Sequence, residues 1–315
     1  MTLLDYPFPL TVALSSLLNS VIYAIPLTKI LHIKHVKLNR TYIIRTILPI
    51  SLGKALAVTS AYASLSEVAV SYAQTVKATM PIFTVVVARI ILGEKQSSKI
   101  YVSLIPIIFG VILASMTELA FDSYGLFWGL FSTLLYSFMN FMTKKVFDNT
   151  KMHPIALLSL TSQIAATIIF PVWFVKNSRL VWLSFDEQNR TYHSPDLNFI
   201  FLIGLSGILS FLQNLCAFSL IHQLTTLSYA VSNCAKRIAV IILSIVALKN
   251  PVTELNVIGM LITILGVFYY NRIKNKERHR TMSEPFFRNR KPRVFEYGSL
   301  KSTNSDVRLI LDARI

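Results

Sequence analysis

The sequence predicts an all-α polytopic membrane protein, an inverted repeat of five-helix halves with about nine spans present and the first helix of the scheme missing. Three observations carry that prediction. Apolar stretches of membrane length recur along the chain, 53% of the residues are hydrophobic against 15% charged, and two blocks repeat at a near-constant offset. Soluble domains carry about 25% charged residues, so a mean hydropathy of +0.55 belongs to a chain whose solvent is lipid. A net charge of +16 would suggest a nucleic-acid partner in a soluble domain. Here Lys and Arg gather in short connections and in the tail, as membrane orientation requires, so the expected partner is the bilayer and not nucleic acid.

The candidate spans are 8–30, 42–65, 70–92, 98–118, 124–143, 154–175, 197–221, 226–248 and 252–272, each near the ~20 residues that cross the hydrocarbon. The first follows MTLLDYPFP, which lacks a positive n-region, and is expected to stay in the mature chain. Its exit holds Lys29, Lys34, Lys37 and Arg40; the third span leads to Lys95 and Lys99, and the fifth to Lys144, Lys145 and Lys151. These basic connections alternate with the poorer Leu65–Ala69 and the acidic Glu118–Asp122, which assigns the basic set to the cytosol. Lys176–Leu197 then falls on the lumenal side, where Asn189-Arg190-Thr191 is a glycosylation acceptor pattern. Asn39-Arg40-Thr41 is expected to be silent on the cytosolic side. From Lys274 the tail is rich in basic residues and poor in aliphatic ones, and reads as disordered and cytosolic. Cys216 and Cys234 lie inside apolar segments and read as packing residues.

The repeat joins SYAQTVKATMP from Ser71 with SYAVSNCAKR from Ser228, and IFGVIL from Ile108 with ILGVFY from Ile264. The separations are 228 − 71 = 157 and 264 − 108 = 156 residues. A constant offset over two blocks signals duplicated halves, here 1–118 with four spans and 119–273 with five, followed by a tail at 274–315. Lys236 and Arg237 stand side by side near the middle of the eighth span, where each cation costs about 2.5–3.5 kcal/mol on insertion scales. The offset puts Lys77 level with Cys234, within a helical turn of that pair. Arg offers a planar fork to phosphate oxygens and Lys a compact charge, so the expected ligand of Lys77, Lys236 and Arg237 is a small phosphorylated anion. Lys54 is also deep in a span, read as lining a cavity or snorkelling. Gln213 and Asn214 are polar within the seventh span, suited to a ligand or to bonding between helices. The histidines are scattered, the acids lie at helix ends, and nothing groups into catalytic or metal-ligating spacing, so neither an enzyme nor a cofactor is expected.

SYAQTVKATMPIF (71–83), GEKQSSKIYVSLIPIIFGVILASMTELAFD (93–122), NFMTKK (140–145) and SNCAKRIAVIILSIVALKNPVTELNVIGMLITILGVFYYN (232–271) resemble the triose-phosphate translocator family of the drug/metabolite transporter superfamily, closest to the solute-carrier family 35 subfamily E branch. The resemblance implies a ten-helix inverted repeat that exchanges phosphorylated compounds across an organelle membrane, with Golgi or endoplasmic reticulum the expected location. It also implies that Lys77, Lys236 and Arg237 hold the phosphate, while Val58, Ala61 and Gln213 stand where plastid members hold the carbon skeleton with His, Thr and Tyr. The phosphate site is thus kept and the carbon sub-site is not. Nucleotide-sugar transport, or a non-transporting trafficking role on the same fold, are the alternatives.

Overall fold

The computed structural model describes residues 9–33, 38–93, 96–119, 121–184, 197–223, 239–244 and 253–283, together with Ser232 and Lys236. Among the described residues regular structure is entirely helical, and the protein is an all-α polytopic membrane protein. Helix α1, Pro9–Ile30, buries Ala13, Leu14, Leu17, Ala24 and Thr28 along one stripe at three- and four-residue spacing. Helix α2, Arg40–Glu67, opens on Asn39, whose Oδ1 accepts from the Thr41 amide at 3.2 Å. It passes through a π-helical turn at Ile43–Ile47, just ahead of Pro49, which has no N–H to continue the ladder.

The third predicted span is two helices, α3 at Val70–Lys77 and α4 at Met80–Leu92. The fourth is likewise α5 at Ser98–Val102 and α6 at Ile105–Met116. Both breaks have one cause. A proline ring clashes with the carbonyl four residues back and withholds the amide that would bond to it. Pro81 acts on Lys77 and Pro106 on Val102, and these are the residues at which α3 and α5 end.

Helix α7, Ser123–Thr150, is capped by Asp122, whose Oδ2 accepts from the Gly125 amide at 2.8 Å. Helix α8, Pro154–Ser184, and α9, Leu197–Gln223, follow; α8 runs nine residues past the predicted 175. Helix α10, Glu254–Ser283, continues past Lys274, so the start of the expected disordered tail is helical. Its Lys, Glu and Arg are strong helix formers, and no Gly or Pro interrupts them before Pro285. Contacts divide the chain into Met1–Lys274 and Asn275–Ile315, the second described only for the end of α10.

Among the described residues six segments are long and apolar enough to cross a membrane: Pro9–Ile30, Arg40–Glu67, Ser98–Met116, Pro154–Lys176, Gly204–Gln223 and Glu254–Glu277. Of the other predicted spans, 70–92 is divided between α3 and α4. Helix α7 has the length but spends a face on buried Ser132, Thr133, Ser137 and Thr143. For 226–248 only Ser232, Lys236 and 239–244 are described, all helical.

Two apolar cores fill the space around α2. One gathers Ile47 and Ile50 with Val146, Leu157, Leu158 and Phe218; the other gathers Ala55 and Val58 with Leu14, Leu17, Ala165 and Ile169. Helices α6 and α10 approach until backbones touch: a Cβ on Gly110 would lie 2.6 Å from the Thr263 amide nitrogen, and one on Gly259 2.6 Å from that of Ala114. Such small-residue seams suit membranes, where packing rather than water drives helix association.

Candidate functional site

Lys77 is the last residue of α3, half-buried, at the break that Pro81 imposes. The break places the start of α4, the positive end of its dipole, next to the lysine. Helix α7 faces this point with polar side chains. Ser137 Oγ donates to the Met80 carbonyl at 3.3 Å and Asn140 Nδ2 lies 3.8 Å from Met80 Sδ. Thr79 Oγ1 closes the gap locally by donating to the Val76 carbonyl at 2.7 Å. A discontinuous helix midway through a span, with a cation and a dipole end together, is the construction transporters use to receive anions.

Lys54 lies halfway along α2 and is only 2% exposed, so it does not snorkel. Its Nζ donates to Ser162 Oγ on α8 at 2.6 Å and sits 5.5 Å from the centre of the Phe218 ring on α9. Ser162 in turn donates to the Leu158 carbonyl at 2.7 Å. Both partners of the ammonium are neutral. The same turn of α7 that meets Met80 also meets α2 here, since a Cβ on Gly53 would touch Met139 Cγ at 3.4 Å. Lys54 and the α3/α4 break are therefore at about the same depth, on two sides of α7.

Lys236 is helical and exposed. Arg237, Cys234 and Asn189 lie outside the described residues. Gln213 is exposed on α9, whereas the half-buried Asn214 donates to the Ser210 carbonyl at 2.9 Å, a bond within its own helix. Among the described residues the geometry thus brings Lys54 and Lys77 to one level and leaves Gln213 apart.

Two polar clusters were not singled out from the sequence. Ser16 on α1 and Ser210 on α9 share a 2.6 Å hydrogen bond, with the Tyr62 hydroxyl in bonding reach of both. Lone serines in apolar helices give no signal of which neighbour they will meet. At the far end of α6, Asn256 Nδ2 donates to Glu118 Oε2 and to the Ala114 carbonyl, both at 2.9 Å, while the Tyr72 and Ser115 hydroxyls meet at 2.7 Å. Tyr72 is fully buried and ties α3 to α6. Arg89 donates to the Tyr101 hydroxyl at 3.2 Å and is exposed near the end of α4.

The model of the Triose-phosphate Transporter family matches residues 1–271. Among curated proteins the chain is 30% identical over 230 residues to glucose-6-phosphate/phosphate translocator 1, chloroplastic, of Arabidopsis thaliana, covering 73% of this chain and 59% of that one. It is 30% identical over 233 residues to phosphoenolpyruvate/phosphate translocator 3, chloroplastic, of Oryza sativa subsp. japonica, covering 72% and 58%. With xylulose 5-phosphate/phosphate translocator, chloroplastic, of Arabidopsis thaliana it shares 28% over 276 residues, 87% and 65%. The chain spans about three-fifths of the length of the first two relatives. One solved crystal structure superposes with a TM-score of 0.52 at 10% identity, over 86% of this chain and 90% of that chain, a likeness of fold alone.

Proposed function

The chain belongs to the Triose-phosphate Transporter family, and from that premise we propose that it is an antiporter exchanging a phosphorylated organic anion, such as a sugar phosphate, for phosphate. The observation that carries the reading is Lys77 at the proline-made break of α3 and α4, inside a family match that spans residues 1–271. Lys77 with Lys236 and Arg237 holds the phosphate. Asn214, half-buried on α9, with Gln213 beside it in sequence, belongs to the path of the rest of the solute only where α9 turns toward the bound state. The two halves, 1–118 and 119–273, rock about this site as an inverted repeat of nine spans. By the repeat offset, Lys236 and Arg237 belong at the depth of Lys77, which is where a transporter of repeated architecture would gather them.

Exchange follows from charge. A site built from three cations must shed water to reorient when no solute is bound, which costs several kcal/mol per ion even after relaxation. A phosphate dianion offsets most of that charge, so the loaded form changes access and the empty form does not. We place it in the membrane of the Golgi or endoplasmic reticulum, where the acceptor pattern Asn189-Arg190-Thr191 on the lumenal side would be used.

The test is uptake of labelled phosphate into liposomes carrying the purified protein. Preloaded vesicles should take up label and empty ones should lag far behind. Lys77→Ala, Lys236→Ala and Arg237→Ala should each lower exchange about tenfold or more, one charge-assisted hydrogen bond being worth about 1.5–3 kcal/mol. Equal uptake into empty vesicles removes obligate exchange, and Ala variants that exchange normally remove the site assignment.

A further inference from the structure

We infer that Lys54 and Ser162 form a second anion subsite, so that the substrate carries another acidic group, a carboxylate or second phosphate, besides the phosphate held near Lys77. This deepens the antiporter reading and rests on it for the transport arm of the test.

The first support is a charge without a counter-charge. Lys54 is 2% exposed, and its contacts are a serine hydroxyl and the face of Phe218, neither of which carries negative charge. Among the described residues the acids are Glu67, Glu118, Asp122, Asp148, Glu254 and Glu277, all at or beyond the ends of the membrane-length segments. No Asp or Glu falls within the central turns of any candidate span. A buried ammonium whose partners among the described residues are all neutral is a place where an anion brought from outside would be stabilised.

The second support is place. Lys54 and Ser162 lie between the two apolar cores: Ile47, Ile50, Leu157 and Leu158 pack on one side of them, Ala55, Val58, Ala165 and Ile169 on the other. That polar layer crosses the bundle halfway along α2, where transporters of repeated architecture bind their cargo. Its depth matches that of the break after Lys77, because residues 137–140 of α7 meet both Gly53 and Met80.

The third is the face of α2. Lys54, Val58 and Ala61 stand at i, i+4 and i+7, one stripe of a helix, and all three are buried. On that stripe Val58 and Ala61 offer no polar group, which leaves Lys54 to select the non-phosphate end of the solute. Ser162 supports it by accepting one ammonium hydrogen while two remain for a carboxylate or phosphate oxygen.

Two compounds that differ at one carbon provide the test, 3-phosphoglycerate with its carboxylate and glycerol 3-phosphate without it. In liposomes preloaded with phosphate, the protein should exchange 3-phosphoglycerate at least about tenfold more efficiently than glycerol 3-phosphate. Lys54→Met should abolish that ratio, and Lys54→Arg should keep most of it. Glycerol 1,3-bisphosphate replacing 3-phosphoglycerate as the better substrate assigns the second group as phosphate. The inference is overturned if the two three-carbon compounds are exchanged alike, or if Lys54→Met leaves their ratio unchanged. Thermal stabilisation of the detergent-solubilised protein by the same compounds gives an independent reading. If no phosphate exchange is seen, the antiporter reading fails, yet stabilisation by 3-phosphoglycerate over glycerol 3-phosphate, lost in Lys54→Met, still supports the subsite, and its absence still removes it.

Discussion

At the scale of single residues, position within a helix decides what a charged side chain does. His153 and Lys54 show the two extremes. His153 stands just before α8, where its Nδ1 accepts from the Ile155 amide at 3.3 Å. Burial, and after it the charge of His222, hold its pKa below the usual imidazole range. The folded protein therefore favours the neutral ring, and this contribution is present above the unfolded value of about 6.5 and lost as pH falls through the lower folded value. The thermal midpoint should fall on acidification from pH 8 to 5, and His153→Asn, a cap that does not titrate, should flatten part of that fall. An unchanged acid limb in the variant would remove the role. The sequence made Lys77 legible because the repeat offset sets it level with Cys234, within a turn of Lys236 and Arg237. It left Lys54 between two readings because the hydroxyl of Ser162, 108 residues away, is what fixes the amine in the interior.

At the scale of elements, the glycines of α6, α9 and α10 separate contact from propensity. Gly110 has no room: a Cβ there would stand 2.5 Å from Thr263 Oγ1 and 2.6 Å from the backbone of the same residue, which cannot swing aside. Gly204 on α9 has nothing within 4 Å of the corresponding position. Gly110→Ala should destabilise by about 1–3 kcal/mol through overpacking. Gly204→Ala should stabilise by up to about 1 kcal/mol through helix propensity. Thermal unfolding of the two variants in detergent checks the pair, and shifts of the same sign would show that the α6 and α10 seam is looser than described. Both broken spans could be read from Pro81 and Pro106, which sit inside otherwise continuous apolar runs. The long ends of α8 and α10 could not, since hydropathy marks where a helix leaves lipid and not where it stops being a helix. The IFGVIL and ILGVFY blocks that revealed the repeat hold Gly110 and Gly266, so part of the repeat is the small-residue seam itself.

At the scale of the whole molecule, the alternation of basic and acidic connections remains the strongest statement the chain makes about its orientation. It predicts that Asn189 is glycosylated and the C-terminus stays on the cytosolic side. The measurement is endoglycosidase sensitivity of the wild type against Asn189→Gln in microsomes, together with protease digestion of a C-terminal tag. A tag protected in sealed vesicles would invert the assignment. Fold class could be read from composition alone because lipid leaves few alternatives to the helix. The depth shared by Lys54 and the α3/α4 break could not, because it depends on which turn of α7 each helix meets. That buried, uncompensated ammonium also has an electrical consequence. Exchange of phosphate for phosphate moves no net charge across the bilayer. If the solute that satisfies Lys54 carries one more negative charge than the phosphate returning, each turnover becomes electrogenic, and a membrane potential of 100 mV biases it by about 2.3 kcal/mol. The potential across the membrane, and not only the two concentrations, would then set the direction in which the protein runs, as an imposed potassium diffusion potential would reveal.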